Sequence, residues 1–178
     1  ITRDGLARVI DAQFPTSLVS KAIAKDGYVF VVEAVTGKLF NCDLNSIKDW
    51  GATSFLTFSE DGTAGVRGME LYKNYVVVFG AKSYEFFENV GNATGSPLQK
   101  VKQLSGKVGL ANAITGLIQY EDTLVWLGAS QNGSTKLYRF NGFQPEIISS
   151  SELEVFLNKG GVIFQELSIW SIYGQDFI

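Results

Sequence analysis

Acidic side chains are the groups in this sequence whose spacing could support acid–base chemistry. Three pairs of carboxylates lie close together along the chain: Glu60 and Asp61, Glu85 and Glu88, and Glu121 and Asp122. Two carboxylates can hydrolyse a glycosidic bond, because one protonates the leaving group while the other activates water or attacks the sugar. These pairs lie in turns or alternating segments, where solvated side chains are expected, so we predict no catalytic residues among them.

Other groups that commonly carry catalysis or bind cofactors are missing from the chain. The sequence contains no histidine, which excludes Ser-His-Asp and Cys-His nucleophile systems and histidine-ligated metals. Its single cysteine, Cys42, lies in an alternating segment and is expected to be a buried apolar residue rather than a reactive thiol. The segment around Lys107 lacks two P-loop residues, because Val101 and Val108 replace the first glycine and the hydroxyl residue. We therefore predict no enzymatic activity, no metal and no cofactor.

Basic residues cluster once, at Lys100, Lys102 and Lys107. The sequence predicts a strand over residues 98–104, and a spacing of two would place Lys100 and Lys102 on one face of it. Such lysines can keep an exposed sheet edge soluble, or they can contact the phosphates of DNA. Because the net charge of the chain is −3, we expect at most weak contacts with DNA.

Three segments repeat one pattern, and this pattern must position the groups named above. Each has a polar turn, an apolar run, a second turn and an alternating run. The apolar runs begin at Tyr28, Tyr75 and Thr123, at intervals of 47 and 48 residues. A period near fifty in a strand-rich sequence indicates the blades of a β-propeller. Because these runs do not alternate, we expect residues 28–32, 75–79 and 123–127 to form equivalent strands that are buried on both faces.

The predicted fold is all-β and propeller-like, with one domain over residues 1–178. We place its blades at residues 17–58, 66–104 and 114–149, with part of a fourth at 162–178, and a helical segment at 152–158. Propellers usually have about four to eight blades, so we expect this chain to be a fragment of a longer propeller. An irregular β-sandwich is the alternative fold.

The chain is suited to forming a core, since 46% of its 178 residues are hydrophobic. No apolar run approaches the roughly 20 residues of a membrane helix, so we expect no contact with a membrane.

The repeats also resemble the motifs of a known family. The first has a hairpin at residues 27–40 followed by Asp43-Leu44-Asn45 and Trp50. The second, residues 75–91, reads YVVVFGAKSYEFFENVG and resembles a signature of the form LWxFGxxSxEfwxNxG. The third continues the match over residues 122–149. Over residues 25–150 the chain thus resembles the packaged-DNA stabilisation proteins of short-tailed bacteriophages, also called tail accessory or tail hub proteins.

This resemblance implies a non-enzymatic component of the virion tail, assembled in the host cytoplasm. The protein would form a ring of identical subunits below the portal, extend the DNA channel, help to retain packaged DNA and bind the next tail protein. Contact with duplex DNA would be transient.

Two other functions are open at this stage. A carbohydrate-binding or glycan-cleaving propeller could stack sugars on Trp50, Trp126, Trp170 and the seven tyrosines, although most of these residues lie in segments where core packing is expected. A propeller of cellular origin could be a general protein-binding scaffold.

Overall fold

A computed structural model of the chain describes residues 9–17, 22–33, 36–58, 65–111, 116–129, 134–159, 167–172 and 175–177. Its strands form antiparallel sheets in which sequential strands are neighbours, except that the short first strand of sheet 3 pairs with the third strand of that sheet. Sheet 1 contains β1 (Ile23–Lys25), β2 (Tyr28–Glu33), β3 (Lys38–Asn41) and β4 (Phe55–Thr57). Sheet 2 contains β5 (Val66–Tyr72), β6 (Tyr75–Gly80), β7 (Tyr84–Asn89) and β8 (Leu98–Lys100). Sheet 3 contains β9 (Gly109–Leu110), β10 (Leu117–Tyr120), β11 (Thr123–Ala129), β12 (Thr135–Asn141) and β13 (Gln144–Ile147).

The remaining described elements are short. A 3-10 helix at Lys102–Leu104 follows sheet 2, and helix α1 (Ser151–Leu157) follows sheet 3. Strands β14 (Trp170–Ile172) and β15 (Gln175–Phe177) then form a two-stranded sheet. The predicted helix at 152–158 is confirmed, and its cap is the Ser150 hydroxyl, which accepts a hydrogen bond from the Leu153 N–H at 3.3 Å. No helix in the described part of the chain is long and apolar enough to cross a membrane.

The predicted equivalence of the three apolar runs is confirmed. They form β2, β6 and β11, and each is the second strand of the regular four-stranded path of its sheet. Each follows its preceding strand through a two-residue turn, as the pairs Lys25–Tyr28, Tyr72–Tyr75 and Tyr120–Thr123 show.

Sheet 2 is buried on both faces. Successive side chains of a strand point to opposite faces, and in β6 the side chains from Val76 to Phe79 are all apolar. Val76 and Val78 of β6 pack with Phe30 and Val32 of sheet 1 in the first core. Their neighbours Val77 and Phe79 point the other way, into a second core shared with sheet 3. Two different sheets thus cover sheet 2, which favours serially stacked propeller blades over the two layers of a sandwich.

Aromatic rings dominate the second core. Trp126 of β11 stacks on Tyr138 with ring centroids 5.6 Å apart, and it lies 4.6 Å from Phe140. From sheet 2, Phe79 approaches Trp126 at 5.4 Å and Tyr84 approaches Phe140 at 5.2 Å. Burial among these rings raises the pKa of Tyr84 to about 12.

The outer faces of sheets 1 and 3 are covered by shorter segments. Val31 and Cys42 of sheet 1 pack with Trp50, whose ring meets Phe14 edge-on at 4.9 Å. The predicted burial of Cys42 is confirmed. On sheet 3, Leu157 of α1 packs in the same cluster as Val125, Leu127 and Leu137.

One predicted strand ends earlier than expected, and one predicted segment is only partly described by the structure. The strand predicted over 98–104 is wrong in its second half, because β8 ends at Lys100 and Lys102 begins the 3-10 helix. Turning the chain there lets the Tyr84 N–H donate to the Gly106 carbonyl at 3.0 Å. In the partial blade predicted at 162–178, residues 162–166 lie outside the described residues.

The packing of the second core predicts how much stability a core substitution costs. Phe79→Ala removes a ring that is 0% exposed between Trp126 and Tyr84, and we expect it to lower the free energy of unfolding by about 3–5 kcal/mol. Chemical denaturation of the purified protein measures this loss. The matched control is Phe156→Ala on α1, where the ring is 54% exposed and we expect a change below about 1 kcal/mol. Equal losses for the two variants would contradict the description of the core.

Candidate functional site

The polar features of the molecule collect at the two ends of the stacked sheets. We call the end that carries the turns at Asp26, Lys73 and Glu121 the first-turn end. These residues have φ values of 52°, 52° and 51°, so each two-residue hairpin begins with a left-handed residue. Asp26, Lys73 and Glu121 are side-chain-bearing residues in a conformation that costs about 1–2 kcal/mol for an L-residue, so the fold holds these turns in place.

Sheets 1 and 2 are joined by polar contacts at the first-turn end. The Lys25 ammonium donates to the Asn74 side-chain oxygen at 2.7 Å and lies 2.8 Å from the Asp26 carboxylate. The Asn89 amide donates to the same carboxylate at 3.0 Å. The hydrogen bonds from Lys25 and Asn89 lower the pKa of Asp26 below its ordinary value.

Sheets 2 and 3 are joined by an equivalent contact with different residues. The Tyr72 hydroxyl donates to the Gly142 carbonyl at 2.5 Å. Beside it, the Lys73 ammonium lies 4.6 Å from the centroid of the Phe143 ring. In both junctions the first hairpin turn of one sheet thus reaches the end of the third strand of the next sheet.

A crevice of about 520 Å³ opens between sheets 1 and 2 at the first-turn end. We call it the first crevice. Its walls are the residues that follow β3, the residues that precede β4 and the loop between β7 and β8. The lining residues are Tyr28, Asn41, Cys42, Asp43, Leu44, Thr53, Ser54 and Gly91, Asn92, Ala93, Thr94 and Gly95.

A second crevice, of about 320 Å³, lies between sheets 2 and 3 at the same end. It is lined by residues of both charge signs, among them Lys73, Glu121, Asp122 and Arg139. The two basic groups are already engaged, since Lys73 lies over the Phe143 ring and Arg139 donates to Glu146 at 2.9 Å.

The structure shows the surroundings of residues from two of the three carboxylate pairs. Glu121 and Asp122 are exposed at a hairpin turn, as expected. The expectation of a solvated Glu85 is wrong, because Glu85 is 3% exposed and its carboxylate forms an ion pair with the Lys100 ammonium. Burial is tolerated there because the opposite charge compensates for the lost water. Glu60 and Asp61 lie outside the described residues.

The three lysines considered for weak contact with DNA also have different surroundings. Lys100 is held by the buried Glu85, whereas Lys102 and Lys107 are exposed. Lys100 and Lys102 do not share a strand face, because the strand ends between them.

Lys82 is a neighbour of this cluster that the sequence pattern did not reveal. It lies in the turn between β6 and β7, at the end of sheet 2 opposite the first-turn end. The backbone after Lys107 runs very close to this turn. A Cβ built on Gly109 would lie 2.2 Å from the backbone nitrogen of Lys82. The glycine therefore permits the backbone segments of Lys82 and Lys107 to lie side by side at the opposite end. We call Lys82, Lys102 and Lys107 the basic group.

The aromatic side chains considered for sugar stacking are mostly in the core. Trp50 and Trp126 are buried, as expected, and Tyr84 and Tyr138 are buried as well. The structure does not describe the side chain of Trp170.

The sequence matches one family model over residues 3–162, described as phage P22 Gp10, β-propeller. A comparison with curated proteins finds no match.

The junction between sheets 1 and 2 predicts a pH effect centred on Asp26. Its pKa is lowered in the folded state, so the carboxylate stabilises the fold above its ordinary pKa of 3.8. That contribution disappears as the pH falls through the lower native pKa. Because the side chain is half exposed, we expect Asp26→Asn to cost about 1 kcal/mol or less at pH 7. Denaturation over a series of pH values from 7 downward measures the difference between the two proteins, which should shrink as the pH falls below 3.8.

A second variant separates the contribution of the amide donor. Asn89→Ala should raise the pKa of Asp26 toward its ordinary value, as followed by NMR titration of the carboxyl carbon. An unchanged titration would show that Asn89 does not hold the carboxylate.

Proposed function

The chain belongs to the β-propeller family of phage P22 Gp10, the phage DNA-stabilisation proteins, and on this basis we propose that it is a tail hub protein. In this proposal it lies below the portal of a short-tailed phage, extends the DNA channel and helps to retain the packaged genome. The match over residues 3–162 carries the proposal.

The charge distribution supports a loose contact with DNA. Lys82, Lys102 and Lys107 are exposed at the opposite end, while Asp43, Glu121 and Asp122 are exposed at the first-turn end. A channel through which a polyanion slides needs few fixed phosphate contacts, because each one strengthens binding and slows release. A small basic group in a chain of net charge −3 fits that requirement.

The same proposal gives the protein a structural role. The sequence lacks histidine, and the buried carboxylate of Glu85 is bound to Lys100 rather than directed at an open pocket. We therefore expect no turnover of glycosides, esters or nucleotides.

Charge removal at the opposite end tests the contact with DNA. We expect Lys102→Gln with Lys107→Gln to weaken duplex binding by the full-length protein and to reduce the salt dependence by up to about 0.9 per lost phosphate contact. Phages carrying this double variant should retain less packaged DNA. Binding is measured over a range of salt concentrations, and retention by the fraction of DNA-filled particles.

The matched control is Lys48→Gln with Lys159→Gln, which removes two other exposed lysines and changes the net charge equally. Equal effects of both double variants would contradict a local DNA contact. Tight binding of wild-type protein to duplex DNA at physiological salt would contradict a sliding channel.

Assembly is a separate test of the tail assignment. We expect the full-length protein to form a ring of identical subunits or to join one when mixed with its portal, as measured by light scattering. A protein that stays monomeric with and without the portal would contradict the proposed position in the tail.

A further inference from the structure

We propose that the first crevice is a socket for an arginine or lysine side chain of a neighbouring protein. The proposal concerns a protein contact at the first-turn end, away from the lysines considered for DNA. It draws on the proposed function only for the setting, because the neighbour would be another virion protein.

Two of the residues that line the first crevice carry oxygen acceptors with no partner among the described residues. Asn41 is 2% exposed, and its amide nitrogen donates to the Cys42 carbonyl at 3.0 Å. Its side-chain oxygen has no hydrogen-bond partner among the described residues. A buried acceptor left unsatisfied costs about 1–3 kcal/mol, so a donor that enters the crevice and reaches it would be favoured.

The second acceptor gives the crevice its charge. Asp43 is the only carboxylate among the residues that line it, and none of these residues is basic. The backbone of Asp43 is fixed on both sides, since its N–H donates to the Asp49 carbonyl at 2.8 Å and its carbonyl accepts from the Ser46 N–H at 3.0 Å. Within the described part of the chain, the Asp43 carboxylate takes part in no hydrogen bond or ion pair. An ammonium or guanidinium group would therefore meet an available negative charge.

The loop walls leave room for a guest. Gly91 has a φ of 69°, and a Cβ built on it would have no atom within 4 Å. At Gly95 the opposite wall is nearer, since the Thr53 carbonyl oxygen would lie 3.6 Å from a Cβ built there. A volume of about 520 Å³ exceeds the space that a single metal ion with its ligands requires.

Apolar side chains at the mouth favour a protein as the source of the basic group. Leu44, which lines the crevice, is 57% exposed, and Val90, which directly precedes the wall formed by residues 91–95, is 43% exposed. Protein interfaces commonly surround a buried arginine with apolar contacts that exclude water. A free cation would gain nothing from such a rim.

A pair of matched probes tests the socket. The full-length protein is titrated with N-acetyl-L-argininamide and with its uncharged isostere N-acetyl-L-citrullinamide, while NMR follows the amides of residues 91–95 and the Asn41 side chain. We expect these signals to shift and the arginine compound to bind about tenfold more tightly, since a hydrogen bond to a charged group contributes more than a neutral one.

Two variants test whether Asp43 causes the preference for the arginine compound. Asp43→Asn should abolish the difference between the two probes, whereas Asp122→Asn, which removes a carboxylate from the second crevice, should preserve it. Equal binding of the two probes, shifts confined to other residues or no binding would overturn the proposal. The same shifts produced by calcium and reversed by a chelator would indicate a cation site and would also overturn it. Because the titration requires no phage assembly, failure here is distinguishable from failure of the tail assignment.

Discussion

Both faces of sheet 2 must be buried, because β6 carries apolar side chains at every position from Val76 to Phe79. A sheet of this kind cannot turn either face to water, so it requires a second sheet on each side. Sheets 1 and 3 meet this requirement with Phe30 and Trp126 respectively. The serial stacking of the sheets follows from this one constraint, and so does the blade-like order of the fold.

Stacking also determines where polar chemistry can occur. Between the sheets most buried side chains are apolar, and the buried carboxylate of Glu85 is paired with Lys100. Polar groups collect where the strands end, and there the hairpin turn of one sheet reaches the third strand of the next. The first crevice lies between two long loops, residues 42–54 and 90–97, whereas the second lies between tight hairpin turns.

In the role proposed for this protein, it would hold neighbouring virion proteins firmly and let DNA pass loosely. Lys82, Lys102 and Lys107 lie at one end of the stacked sheets and the first crevice lies at the other, so one chain can offer different surfaces for the two tasks. The rigid apolar layers between the ends keep these surfaces at a fixed separation.

The sequence by itself determined the identity and equivalence of the three central strands. Apolar runs that recur at intervals of 47 and 48 residues without alternation have few ways to avoid water other than repeated burial between sheets. The resemblance to phage proteins likewise rested on hairpin motifs that are local in sequence.

Only the tertiary structure decided the surroundings of individual polar groups. Glu85 looked solvated in sequence, but the register of β7 with β8 brings Lys100 within reach of its carboxylate. Lys82 joined the basic group because Gly109 permits two backbones to touch. Asn41, whose side-chain oxygen has no partner among the described residues, lies where segments distant in sequence line the first crevice. Such contacts join residues distant in sequence, and no local pattern encodes them.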